Sequence, residues 1–285
     1  MRKHYPRLRN GKLEGTGMVI NAERQILTIG YIVSEAKSVE ITDVDGRVIP
    51  ASVEGYDGNS GFGLLKALSP LRAQPLILAD SSNIQAQEQL SVVSGLNDVV
   101  QQQVFVLERA TFAGYWEYLL ENAIFTVPVV IASTRAEILN EKGELVGIGS
   151  LYVQRSFQSS KVPCNMFVPT EVLLPILEDL KRYGKPSNSP KPWFGVTVME
   201  HYGRVIVQRV SRESPAMEAG IKEGDLILKV ADRSVKNLEG FFRAVWNLGN
   251  AGVHVPLTLL QGNELRQLNI VSKDRSMVYQ TISYD

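Results

Sequence analysis

Ser214-Pro215-Ala216-Met217-Glu218-Ala219-Gly220-Ile221-Lys222-Glu223-Gly224-Asp225-Leu226-Ile227-Leu228-Lys229-Val230 is the stretch from which the rest of the chain is read. Its first part is a compact helix by chemistry alone. Ser214 can cap it, Pro215 suits the first helical position, where no N–H is needed, and Gly220 suits a left-handed stop. From Trp193 to about Ser276 the pattern mixes strands with two short helices. The second helix follows Asn237 and carries Leu238, Phe241, Phe242 and Val245 on one face.

Upstream lies Gly184-Lys185-Pro186-Ser187-Asn188-Ser189-Pro190-Lys191-Pro192, rich in Pro, Ser and Gly and without a large apolar side chain. It is read as a linker, with a long surface loop inside one domain as the alternative. Before it, short apolar runs recur between turns: Gly15 to Ile20, Gln25 to Ile29, Val39 to Asp43, then an Asp45-Gly46 turn into Arg47 to Val53. Further runs are Phe62 to Lys66, Gln89 to Ser94, Gln103 to Glu108, Ala123 to Val130 and Glu144 to Ser150. Regular short strands of this kind predict a β-barrel or sandwich. Two helices are predicted in this half. One is Glu171 to Tyr183, with Thr170 as N-cap and Gly184 just past the end; the other is a short turn at Trp116 to Leu120.

Composition excludes several classes. The chain has 285 residues, 30 basic and 30 acidic, so its formal net charge is zero. That argues against nucleic-acid binding through a concentrated basic surface. A single cysteine, Cys164, offers neither an internal disulfide nor a structural zinc site. No apolar run approaches the roughly 18 residues of a membrane span. The basic start, Met1 to Lys12, lacks the apolar stretch of a signal peptide and reads as a solvated tail or as the stub left by a removed leader. There is no His-Glu-x-x-His, phosphate-binding glycine loop with a lysine, or dinucleotide fingerprint, so no metal or cofactor is expected. A histidine base would have to be His4, His201 or His254.

The C-terminal part resembles a bacterial PDZ domain of the HtrA type. The residues that carry the likeness are Trp193-Phe194-Gly195-Val196, then Val210 with Ser214-Pro215-Ala216 and Ala219-Gly220-Ile221-Lys222, then Gly224-Asp225-Leu226-Ile227-Leu228, Val230 and the helix after Asn237. Bare backbone amides at Phe194-Gly195-Val196 can hold a peptide carboxylate, and the strand after them offers an edge for β-augmentation. The resemblance implies that Phe194, Gly195, Val196, Phe241 and Val245 line a peptide site; the alternative for Phe241 and Val245 is a purely core role.

Glu14 to Lys185 looks like the chymotrypsin-like double β-barrel of HtrA proteases. In that family a Gly-x-Gly-x-Val-Ile opening leads to a Leu-Thr run carrying the catalytic histidine. Here Gly15-Thr16-Gly17-Met18-Val19-Ile20 leads to Ile26-Leu27-Thr28-Ile29-Gly30-Tyr31, and Tyr31 takes the histidine position. The aspartate position, reached through Asp57-Gly58-Asn59-Ser60, holds Gly61, before Phe62-Gly63-Leu64-Leu65-Lys66. The nucleophile position, in Ala132-Ser133-Thr134-Arg135-Ala136, holds Thr134. Tyrosine, with a free pKa of about 10, is a poor base at neutral pH. Gly61 has no carboxylate to orient one, and Thr134 lacks an adjacent base. Ala132, Arg135 and Ala136 replace glycines that permit the oxyanion turn. Tyr31 reads as a packed aromatic or, with Thr134, as lining a leftover cleft.

The resemblance therefore implies a mainly β protein. A degenerate double β-barrel covers 1–183, a linker 184–192, an α+β PDZ domain 193–276 and a tail 277–285. Its expected partners are peptides or protein C-termini, with homo-oligomerisation or association with an active paralogue left open. Fourteen residues precede Gly15, fewer than the family's usual opening strand, which leaves trimer formation open. By resemblance the chain works in the periplasm or cell envelope. The alternative is an active serine-type endopeptidase of the HtrA class.

Overall fold

The computed structural model describes residues 15–30, 33, 36–94, 100–130, 136–275 and 277. Its contacts divide the chain into two compact units. Unit 1 comprises Met1–Ala110 and Ala123–Ser187; unit 2 comprises Thr111–Asn122 and Asn188–Asp285.

Unit 1 is built of antiparallel strands. β1 (Met18–Val19), β2 (Gln25–Ile29), β3 (Val39–Thr42), β4 (Val48–Tyr56) and β5 (Phe62–Ala67) form a sheet in the order β1-β2-β5-β4-β3. The predicted Asp45-Gly46 turn joins β3 to β4, with Gly46 at φ +81°. β6 (Gln89–Ser94), β7 (Val100–Gly114), β8 (Tyr118–Val127), β9 (Ala136–Leu139), β10 (Leu145–Phe157) and β11 (Ser160–Pro169) close a barrel in the order β10-β11-β8-β7-β6-β9. β9 and β11 were not among the predicted strands. β8 starts earlier than the predicted Ala123.

Inward residues of both sheets make the core of this unit. Leu27, Phe62 and Leu64 of the first sheet share a buried cluster with Leu145 and Ile148 of the second, and Leu173, Ile176 and Leu180 complete it. Those last three come from a segment that departs from the predicted continuous helix. Thr170–Val172 and Leu174–Ile176 are 3-10 turns, and only Leu177–Tyr183 (α1) is α-helical. Pro175 has no N–H to continue an α-helix through that point. Thr170 does not cap: its hydroxyl donates to the carbonyls of Ala79 (2.6 Å) and Val146 (3.2 Å). Gly184 does stop the helix in the left-handed region, φ +72°.

Unit 2 has β12 (Val196–His201), β13 (Arg204–Val210), α2 (Pro215–Glu218), β14 (Leu226–Val230), β15 (Arg233–Ser234), α3 (Leu238–Trp246), β16 (His254–Gln261) and β17 (Glu264–Val271). The sheet order is β12-β13-β14-β16-β17, with β15 paired to β14. Both predicted helices form, the first with its predicted cap and the second with a cap from Asn237, the residue it was read to follow. The Ser214 hydroxyl accepts from Met217 N–H at 3.2 Å, and the Asn237 side chain accepts from Gly240 N–H at 2.7 Å. The predicted helical turn at Trp116–Leu120 is absent. Tyr118–Leu120 are already in β8, and the residues before them form the turn from β7, because pairing of the two strands overrides any local helical preference. The mainly β architecture, two barrel-like sheets followed by an α+β module, is the one the sequence predicts.

Ser214 is fully buried, and its hydroxyl also donates to Ser211 O at 2.7 Å. Ser214→Ala is expected to lower the unfolding free energy of unit 2 by about 1–2 kcal/mol, read by chemical denaturation with Trp fluorescence. An unchanged midpoint would show that the cap does not hold α2.

Candidate functional site

Two places carry the sequence-predicted site residues. In unit 1, of the three triad positions only Gly61 is described. Tyr31 and Thr134, together with Ala132, Ser133 and Arg135, lie outside the described residues, as do His4 and the basic start. Gly61 closes a turn satisfied by its own chain. The Asp57 carboxylate accepts from Asn59 N–H (3.1 Å) and Ser60 N–H (2.9 Å), and Gly61 N–H donates to Asp57 O (2.9 Å). Gly61 O in turn accepts from Gly30 N–H at 2.7 Å, and its φ is +81°. A glycine here meets a backbone requirement, since L-residues enter that region at a cost of roughly 1–2 kcal/mol.

Another carboxyl of unit 1 was missed by the sequence reading. Glu137, on β9 and three residues after Thr134, is half-buried, and its Oε2 has no hydrogen-bond partner among the described residues. Burial pushes its pKa up to about 7. Its only sequence signal is a charge in a strand of alternating burial. Cys164 is fully buried and its thiol is pushed up to about 11 by burial, which makes it a poor nucleophile.

In unit 2 the chain before β12 forms a cradle of backbone donors. Phe194 N–H, Gly195 N–H and Val196 N–H all donate to one carboxylate, that of Glu117, at 3.1, 2.7 and 2.7 Å. Gly195 sits at φ +90°, which turns consecutive amides toward one point. A Cβ at this position would run into the Ser214 side chain. Two residues on, Val198 N–H donates to Tyr115 O at 2.9 Å. Alternate residues of a strand present their amides to the same edge, so Val196 and Val198 both face away from β13.

Phe194, Phe241 and Val245 are buried at 1%, 0% and 1% exposure. They share one apolar cluster with Leu119, and the Phe194 and Phe241 rings meet edge to face at 6.1 Å. Burying a leucine of this kind stabilises by about 1.5–3 kcal/mol. The sequence thus named the donor loop and the helix face, and the structure brings them together. It did not name Glu117, Tyr115 or Leu119, because their placement depends on the β7–β8 turn joining unit 2.

Glu117 is itself buried, at 8% exposure, with φ +56°. Burial pushes its carboxyl up to about 7, while the three amides and Arg275 pull in the other direction. Of the histidines, His201 and His254 are exposed. His201 packs edge-on against Tyr202 at 4.4 Å between ring centres, and His254 Nδ1 lies 3.1 Å from the Asn269 side-chain nitrogen. Among the described residues no group of three His, Cys, Asp or Glu side chains could hold a metal ion, and no helix is long and apolar enough to cross a membrane.

Residues 192–271 match the PDZ domain family, and residues 15–148 match the trypsin-like peptidase domain family. Among curated relatives, the serine protease Do-like HtrA of Lactobacillus helveticus is 25% identical over 81% of this chain and 62% of its own. A probable periplasmic serine endoprotease DegP-like of Halomonas elongata is 21% identical over 91% of this chain and 56% of its own. The serine endoprotease DegS of Haemophilus influenzae is 21% identical over 91% and 77%. The chain thus spans less than two thirds of the length of the first two relatives. Among solved structures, an HtrA-type protease AlgW with a decapeptide superposes with TM-score 0.56 at 17% identity, covering 92% of this chain and 82% of that one. A serine endoprotease from Yersinia pestis gives 0.52 at 21% identity, covering 91% and 88%. At these identities the likeness is one of fold.

Two outcomes follow from this geometry. Gly195→Ala is expected to destabilise unit 2 by about 1–3 kcal/mol, since it adds strain at positive φ to a clash with Ser214; an unchanged melting midpoint would contradict the cradle. The raised carboxyl of Glu137 binds its proton more tightly in the folded chain than in the unfolded one. Its contribution to stability is therefore present below pH 4.5 and lost as pH rises through about 7. Glu137→Gln should have a higher unfolding free energy than the parent at pH 8, by up to about 3 kcal/mol, and converge with it near pH 4.5. Parallel pH profiles for the two proteins would show that the carboxyl is not held in a low-dielectric setting.

Proposed function

The chain is HtrA/DegP-like in sequence and in domain order, and we propose that it acts without cutting. On this reading the PDZ module binds extended peptides or protein C-termini, and the chain serves as a scaffold, adaptor or chaperone-like factor beside a packed trypsin-like platform. The observation that carries the reading is the contrast between its two sites. At Phe194, Gly195 and Val196 three amides converge on a carboxylate beside a buried apolar cluster, which is the equipment for gripping a peptide end. At position 61 the backbone is closed in a self-satisfied turn with no side chain to orient a base. Tyr31 and Thr134 at the other two triad positions point the same way by their chemistry. The periplasm or cell envelope is the proposed compartment, after the names of the relatives.

A second reading is an active serine-type endopeptidase, or a regulatory partner of an active paralogue. The relatives named as serine proteases favour it, and so does Glu137, a carboxyl held near 7 and three residues after Thr134 in the chain.

Hydrolysis of casein and of labelled peptides, run beside Thr134→Ala and Glu137→Gln with a fluorophosphonate probe, separates the two. No turnover and no labelling are expected for the parent chain. Turnover that disappears in Thr134→Ala would overturn the non-catalytic reading.

A further inference from the structure

A peptide that binds a strand edge beside an amide cradle supplies three things: a carboxylate for the amides, a backbone carbonyl for the edge, and an apolar side chain for the pocket. Thr111–Asn122 supplies all three from within the chain. The Glu117 carboxylate takes the amides of Phe194, Gly195 and Val196. The Tyr115 carbonyl takes the next outward amide of the edge, Val198 N–H. Leu119 is buried in the cluster that holds Phe194, Phe241 and Val245.

The segment is shaped for this place. Glu117 turns at φ +56°, where glycine or asparagine turns at lower cost, so the residue type answers to its carboxyl rather than to the bend. Its neighbours brace the tip: Trp116 stacks on Tyr118 at 5.6 Å, and Tyr115 meets Trp116 edge-on at 4.9 Å. Arg243 on α3 pairs with Glu121 at 2.7 Å and donates to the Thr111 hydroxyl at 3.3 Å. Arg275 donates to Trp116 O at 3.0 Å.

We propose that the β7–β8 hairpin tip, Thr111–Asn122, is a built-in ligand of the PDZ groove, and that an outside C-terminus binds only by displacing it. The proposal rests on the reading of this groove as a peptide site. The built-in ligand is chain-internal and offers a side-chain carboxylate where an outside peptide offers its terminal one. Its leucine indicates that the competing peptide ends in an aliphatic residue. The groove is then self-limited: the apparent affinity for outside peptides is reduced by the fraction of molecules in which the tip is undocked.

The test uses the full chain, with Glu117→Ala and, as an independent disruption, Leu119→Ala. Amide hydrogen exchange reports on residues 194–198, with β16 as the control for folding. The peptide probe is a fluorescein-labelled decapeptide of alanine and serine ending in leucine, as the free acid and as the terminal amide. In the parent chain the 194–198 amides are expected to be protected and the free-acid probe to bind weakly. In the variants exchange at 194–198 should rise at least about tenfold with β16 unchanged, and the free-acid probe should bind at least about tenfold more tightly while the amide probe does not. Unchanged protection at 194–198 in both variants, or equal probe affinity in parent and variants, would overturn the proposal. Amides that lose protection in the variants, with no probe binding in any form, would uphold the built-in ligand and instead refute the groove as a general peptide site.

Discussion

Three successive amides that point the same way need an acceptor outside regular structure. Phe194, Gly195 and Val196 are in that position, because the chain turns through φ +90° at Gly195 before entering β12. Buried backbone donors without partners are costly, so such a loop is stable only with an anion or a comparable acceptor in place. Much of unit 2 follows from this constraint. Ser214 packs close enough to exclude a Cβ at Gly195 and also caps α2. Phe194 drives its ring against Phe241, which fixes α3 beside β12. The Glu117 carboxylate completes the set. Its burial opposes ionisation while three amides favour it, and the balance holds its pKa near neutrality.

In unit 1 the corresponding constraint is backbone closure. The Asp57–Phe62 turn satisfies its donors internally, and Gly61 O also accepts from Gly30 N–H at the end of β2. With φ +81°, Gly61 meets the demand of this turn without a side chain. The core around Leu27, Phe62, Leu64 and Leu145 is apolar throughout, so the packing of the two sheets rests on burial and not on the residues of this turn's tip.

Local chemistry was legible where a residue acts through its nearest neighbours. The cap at Ser214, the left-handed stops at Gly184 and Gly220 and the Asp45-Gly46 turn are decided within a few residues, and each forms as read. Readings failed where distant pairing competes with local preference. Trp116–Leu120 has the composition of a helical turn, yet β7 and β8 hold it in a hairpin. Thr170 precedes an apolar helical pattern, yet its hydroxyl is drawn to Ala79 O and Val146 O, and Pro175 splits the segment behind it.

The sequence by itself determined the mainly β character, the glycine of the Phe194–Val196 loop, the cap of α2 and the apolar face of α3. These are properties of composition, periodicity and spacing, fixed before any long-range contact forms. Only the tertiary structure decided what the loop holds. Glu117 lies 77 residues before Phe194 in the chain, in a turn whose sequence shows an acidic residue among aromatics and nothing more. Its meeting with three amides depends on where β7 and β8 end and on how Thr111–Asn122 packs into unit 2, and no local pattern encodes a contact made by strand pairing at that separation.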